Sequence, residues 1–191
     1  MNSFFSSRSA SGRAMRHLLI RSLAAGAACL LLLGAAQART PDGWPFVDFN
    51  EAVRAAKKTG KPLFVYFGFE TCPYCEYANK NTFSFDALRR RYTEHYVLAY
   101  FDIRGNPRDT ITLVDGTRLT RADAIKRFKA SPVPAWLFMS ADGREILMRR
   151  GSRTSADSFM KFDAYVTSGA YKQSSFEGFL AQRGMNEQKP E

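Results

Sequence analysis

The chain has 191 residues and a net charge of +10, with 45% hydrophobic, 24% charged and 14% aromatic residues. That length and balance describe one globular domain and exclude a largely disordered chain. The basic residues are scattered, and the densest run, Arg89-Arg90-Arg91, reads as a solvated helix face, so no nucleic-acid partner is expected.

The first residues read as a targeting segment. Arg8, Arg13 and Arg16 occur without an acid, and an apolar run from Leu23 to Ala36 ends in Ala36-Gln37-Ala38. A basic start, a short apolar middle and a small-x-small exit describe a secretory signal peptide cleaved after Ala38. The apolar run is shorter than the roughly 20 residues that span a bilayer, so no membrane anchor is expected after cleavage. No arginine pair precedes it, which favours the general secretory route. Leu30 to Leu33 continue the run past Cys29, which argues against a lipid-attachment cysteine. Cleavage removes four arginines, Cys29 and no acid, lowering the charge from +10 to +6. The expected layout is a signal peptide over 1–38, a linker over 39–45, one domain over 46–183 and a tail over 184–191.

Phe49, Ala52, Val53 and Ala56 recur at the spacing of one helix face. Gly60 and Pro62 end that helix. Residues 62–68 are apolar at nearly every position, as in a central strand buried on both faces. Cys72-Pro73-Tyr74-Cys75 follows, and a helix is predicted to continue over 76–80. Ser84 is placed to cap a second helical piece in which Phe85, Leu88 and Tyr92 share a face. Val97 to Phe101 is the next strand, giving a parallel βαβ unit. Thr110–Val114 and Thr117–Leu119 are expected to pair as a hairpin across Asp115-Gly116. A helix with Leu119, Ala122, Ile125 and Phe128 on one face follows. Ser131-Pro132-Val133-Pro134-Ala135 then leads into a strand over 136–139. The turn at 141–144 is short enough to make 145–150 its antiparallel partner. A helix with Phe159, Phe162 and Val166 inward, and a short one over 175–182, close the domain.

A strand that ends in C-x-x-C, which in turn opens a helix, reads as a thiol–disulfide redox site. The reactive form of cysteine is the thiolate, and a free thiol has a pKa of about 8.5. At a helix N-terminus, unpaired N–H groups and the helix dipole favour that charge, making Cys72 the attacking group. Cys75, one turn further in and expected to be less exposed, would resolve the mixed disulfide. Pro73 suits the first helical turn, where its missing N–H costs nothing. A purely stabilising disulfide is a weaker explanation, since closing a loop this short is worth only about 2 kcal/mol. A zinc site would need two more ligands, and His95 is the only histidine beyond the signal segment, at the end of a distant helix. Haem attachment requires histidine where Glu76 stands. No metal and no cofactor are therefore expected.

Taken together, the order of elements resembles the thioredoxin fold over residues 46–168, carried by Cys72-Pro73-Tyr74-Cys75 after a buried strand and by Val133-Pro134 before another. The fold class implied is α/β: a central mixed sheet flanked by helices, with a small insertion before the strand led by a cis-proline. The resemblance implies a cis bond at Pro134, packed beside the disulfide, and a substrate surface made by Pro73, Tyr74, Val133 and Pro134. Within that superfamily, Phe67 to Cys75, Val114-Asp115-Gly116, and Pro134 through Glu145 resemble periplasmic thioredoxins of the sulfur-oxidation (SoxW) type. Asn81-Thr82-Phe83 is also similar to the periplasmic C-terminal domain of the membrane thiol reductase DsbD. These resemblances imply a periplasmic disulfide reductase, protein thiols and disulfides as substrates, and a membrane thiol transporter as electron donor. A disulfide-inserting oxidase of the same fold and a non-catalytic module holding a peptide or a soft metal are the alternatives. Two positions depart from thioredoxins: Tyr66 stands where they carry a buried aspartate, and Thr71 where they carry tryptophan. Glu70 and Glu76, the nearest carboxylates in sequence, read as exposed and unperturbed.

Overall fold

A computed structural model describes residues 40–186. The signal-peptide reading of 1–38 lies outside the described residues, as does most of the expected tail. The main sheet is built from β1 (Val47–Asp48), β2 (Leu63–Gly68), β3 (Val97–Asp102), β6 (Ala135–Met139) and β7 (Glu145–Arg150) in the order β1-β3-β2-β6-β7. β2 pairs in parallel with β3 and antiparallel with β6, β7 is antiparallel to β6, and β1 is parallel to β3. The sheet is thus mixed, as expected. A separate hairpin, β4 (Thr110–Thr112) with β5 (Arg118–Thr120), turns over Asp115-Gly116.

Every residue of β2 is buried, because both faces of the sheet are covered. Side chains alternate along a strand, so Phe64 and Tyr66, with Trp136 and Phe138 of β6, enter one core. Leu63, Val65 and Phe67, with Ala135, Leu137 and Met139, enter the other. The first core is closed by α2 (Pro73–Asn81), α3 (Asp86–His95), α5 (Ala156–Thr167) and α6 (Phe176–Gln182). The second is closed by α1 (Phe49–Thr59), α4 (Arg121–Arg127) and the hairpin, through Ile111, Leu113 and Val114. In α1 the four residues picked out by spacing are the four that are buried; Asp48 caps its start and Gly60, at φ 70°, ends it. Among the described residues no helix is long and apolar enough to cross a membrane.

Several local expectations are corrected. Phe85 is not on the inner face of α3: it is the extended residue before the helix and is exposed, while Leu88 and Tyr92 are buried. Its backbone is out of helical register, and no side chain, Ser84 included, caps this helix. In α4 the cap from Thr120 to the Asp123 N–H fixes the start. Leu119 therefore belongs to β5, and Ala124 and Phe128 are the buried pair. Trp44, inside the expected linker, is a core residue whose indole N–H donates to the Phe83 carbonyl at 2.8 Å. Met185, in the expected tail, packs against the same core.

Arg91 also departs from the solvated-face reading. It reaches Asp163 of α5, a fully buried carboxylate that His95 Nδ1 meets at 2.8 Å. Burying a carboxylate is costly unless it is paired, so this cluster joins α3 to α5. Arg91→Ala should lower stability by about 1–3 kcal/mol, less than for a fully buried pair because Arg91 is partly exposed; a shifted urea midpoint measures it.

Three phenols in the first core are held neutral. Burial, then neighbouring Tyr100, raises Tyr66; burial, then Tyr96, raises Tyr92; burial, then Asp163, raises Tyr96. In the unfolded chain each ionises near pH 10, in the folded protein well above it. The stability they contribute is therefore complete below about pH 10 and is lost as the pH rises further. The loss should approach about 1.4 kcal/mol per pH unit for each phenol. Urea midpoints that stay constant from about pH 9 to 11 would contradict this.

Candidate active site at the Cys72–Cys75 disulfide

β2 delivers the chain to its C-terminal edge at Gly68, and residues 69–71 turn it into α2. Cys72 is the N-cap of that helix, with an extended backbone, and Pro73 occupies the first turn. The Cys72 carbonyl accepts the Glu76 N–H at 3.0 Å, and the Cys72 N–H donates to the Phe69 carbonyl at 3.3 Å. The side chain of an N-cap residue faces the unpaired amides of the first turn. Here Cys72 Sγ accepts the Cys75 N–H at 3.1 Å. The two cysteines form a disulfide, with Cα atoms 5.2 Å apart.

Both cysteines are 4% exposed, so the expected difference in exposure is absent. What distinguishes them is hydrogen bonding: the amide is directed at the Cys72 sulfur. Tyr74 and Tyr77 are exposed on α2. Val133-Pro134 is cis, as the resemblance implies, and so is Ser131-Pro132, for which the sequence carried no signal. The register opposing Phe67 to Ala135 sets this segment at the same sheet end as residues 69–72. Val133 is half-buried against the core that contains both cysteines. Pro134 is buried and its carbonyl accepts the Gly151 N–H at 3.1 Å.

Beneath the helix, Tyr66 donates to Asn79 Oδ1 at 2.9 Å, with the Cys75 carbonyl at 3.4 Å from the same hydroxyl. Held neutral by burial, Tyr66 cannot take a proton from a cysteine as a carboxylate would. Glu76 is fully exposed and bonded to Lys80 at 2.6 Å, and that hydrogen bond, then the Lys80 charge, lowers its carboxyl. This corrects the unperturbed reading of Glu76. Among the described residues no group of three His, Cys, Asp or Glu side chains is arranged to hold a metal ion, and His95 is engaged by Asp163.

Two arginines beside the site, Arg104 and Arg121, carry no signal in the sequence. The Arg104 guanidinium lies 3.6 Å over the Phe69 ring, on the loop that leads to Cys72. The Ile103 N–H donates to the Gly68 carbonyl at 3.0 Å, and Arg121 Nη1 donates to the Asp102 carbonyl at 2.8 Å. The insertion and its helix are thereby fastened to the end of β2 and β3 where the disulfide sits.

Comparison with known proteins agrees with this geometry. No curated protein sequence matches the chain. Among solved structures, a thioredoxin-fold protein from Helicobacter pylori superposes with a TM-score of 0.53 at 18% identity, covering 65% of this chain and 80% of its own. A thioredoxin from Thermus thermophilus gives 0.52 at 22%, covering 65% and 87%. A putative disulphide-isomerase from Bacteroides thetaiotaomicron gives 0.51 at 21%, covering 70% and 98%. These likenesses are of fold. The model of the thioredoxin-like domain matches residues 49–167, from the first turn of α1 to the end of α5. With the sheet order, the cis-proline strand and the cysteine-capped helix in place, the chain belongs to the thioredoxin-like domain family.

Proposed function

We propose that this protein is an exported thiol–disulfide oxidoreductase that acts mainly as a disulfide reductase on periplasmic proteins. The observation that carries the thiol–disulfide chemistry is the amide of Cys75 directed at the Cys72 sulfur at the start of α2; the reductase direction rests on the sequence resemblances. A donor fixed on that sulfur stabilises it as a thiolate, both as attacking and as leaving group. The Cys72 thiolate attacks a substrate disulfide, forms a mixed disulfide and expels the first substrate thiolate, which takes up a proton. Cys75 then loses its proton and attacks Cys72 Sγ, expelling the second substrate thiolate. Two electrons pass to the substrate, and the Cys72–Cys75 disulfide must be reduced again by a thiol donor; the sequence resemblances support a membrane thiol transporter in that role.

Pro73, Tyr74 and Val133-Pro134 form the surface for the substrate chain. Because Gly151 already engages the Pro134 carbonyl, backbone pairing with substrate falls to Val133. The export reading is supported by the pattern of residues 1–38 and the link to sulfur oxidation by sequence resemblance.

Cys72→Ser should abolish the protein's acceleration of insulin reduction by dithiothreitol. Cys75→Ser should leave Cys72 linked to its substrate in periplasmic extract. Wild-type acceleration of insulin reduction by Cys72→Ser would sink the assigned chemistry, and stoichiometric bound metal together with an inactive wild type would favour the binding-module reading. The reduction potential of the pair, measured against glutathione, should lie nearer −270 than −120 mV, these being about the limits of the fold; a value at the upper end would assign disulfide insertion instead.

A further inference from the structure

Cys75 has to become a thiolate before it can resolve the mixed disulfide, and the groups packed round it differ in what they offer. On its own helix are Cys72 and Glu76, the latter exposed and bonded to Lys80. On β2 is Tyr66, whose hydroxyl proton goes to Asn79. On β3 are Asp102, opposite Gly68, and Tyr100, opposite Tyr66. Glu70, on the loop between, is exposed.

Tyr100 is set apart by the glycine beside it. A methyl group built on Gly68 would stand 3.3 Å from the Tyr100 hydroxyl oxygen and 3.4 Å from Cys75 Sγ, and these are the two atoms nearest to it. The phenol oxygen and the sulfur therefore line one gap of methyl size, which a side chain at position 68 would fill. The hydroxyl oxygen is buried. The ring is fixed edge-on to Tyr66, with centroids 5.8 Å apart, and packs against the core that includes both cysteines.

We propose that Tyr100 is a positioning residue for Cys75: when the disulfide opens, its hydroxyl donates a hydrogen bond to the Cys75 sulfur and stabilises the thiolate that resolves the mixed disulfide. Tyr100 keeps its own proton; the proton lost by Cys75 goes to solvent, and the expelled substrate thiolate takes one up. The assignment rests on the thiol–disulfide reading above. A donor to a charged sulfur acts without being ionised itself, which suits a site bordered by the phenols of Tyr66 and Tyr100.

The test is the reaction of the reduced full-length protein carrying Cys29→Ser, so that Cys72 and Cys75 are its two thiols, with an aromatic disulfide that releases a coloured thiol. The first equivalent reports attack by Cys72 and the second reports resolution by Cys75. Tyr100→Phe keeps the ring and removes the donor. It should move the pH midpoint of the second phase up by about one unit and slow that phase about tenfold near pH 7, as expected for losing one hydrogen bond to a charged group. Gly68→Ala, which keeps Tyr100 but puts a methyl into the gap, should shift the same phase in the same direction. A second phase whose pH profile superposes on wild type in Tyr100→Phe overturns the assignment. If that variant does not fold, an unshifted profile in Gly68→Ala does so. Release of only one equivalent by the wild type overturns the thiol–disulfide reading and this assignment with it.

Discussion

A sulfur at the N-cap of a helix is useful only if the helix start cannot drift, and the 3.1 Å bond from the Cys75 amide to Cys72 Sγ sets that requirement. Cys72 ends a turn that begins at Gly68, so the sulfur is placed by β2. β2 in turn is fixed because both its faces and both its edges are occupied. Its buried aromatic side chains interlock with α3 and α5: Phe64 meets Tyr92 at 4.9 Å, and Trp136 of the neighbouring strand meets Phe159 at 4.9 Å. Such pairs prefer edge-to-face geometry, worth about 0.5–1.5 kcal/mol each beyond area burial, and this makes the sheet a rigid mount. The active geometry thus depends on packing well away from the cysteines.

The chemistry under α2 is carried by dipoles and phenols. In thioredoxins a carboxylate occupies the Tyr66 position, so a change in pH can charge or discharge a group beside the sulfurs. Tyr66 stays neutral through the physiological range because burial opposes its ionisation. The buried carboxylate of the first core is at the opposite end of the sheet: Asp163 and Arg91 sit beside His95, just before β3 begins. The six residues of β3 span about 20 Å, which sets this paired cluster a strand's length from the end where the cysteines sit. That cluster joins α3 to α5.

Much of this was legible in the chain itself. The apolar run 62–68 gives a strand observed over 63–68, the hairpin turns where Asp115-Gly116 stands, and the α1 stripe is buried residue for residue. These are local signals: periodicity, turn chemistry and caps. What escaped is long-range or depends on a boundary. Arg91 looks like one of three solvated arginines until α5 brings Asp163 to it, 72 residues away. Phe85 fits the apolar spacing, but the helix begins one residue later. The equal burial of the two cysteines, and Tyr100 beside Gly68, follow from how β2, β3 and the start of α2 meet, which no spacing within any one segment encodes.

Gly68 connects the two halves of this site. It continues β2 in register with Asp102, yet its missing side chain is what admits the Tyr100 hydroxyl to the Cys75 sulfur. Its carbonyl also accepts the Ile103 N–H, tying the loop before Cys72 to the insertion that carries Arg104. A larger residue here would separate the phenol from the sulfur, and the constraint acts on the reduced state in particular. In the disulfide, Cys75 carries no charge for a donor to stabilise; once the bond opens, a thiolate at that position has the phenol oxygen across a methyl-sized gap. Thiolate stabilisation favours the dithiol form and so moves the couple toward the oxidising end. The amide on Cys72 and the hydroxyl near Cys75 act in the same direction, one on each sulfur, and their combined strength sets how readily the pair passes its electrons on.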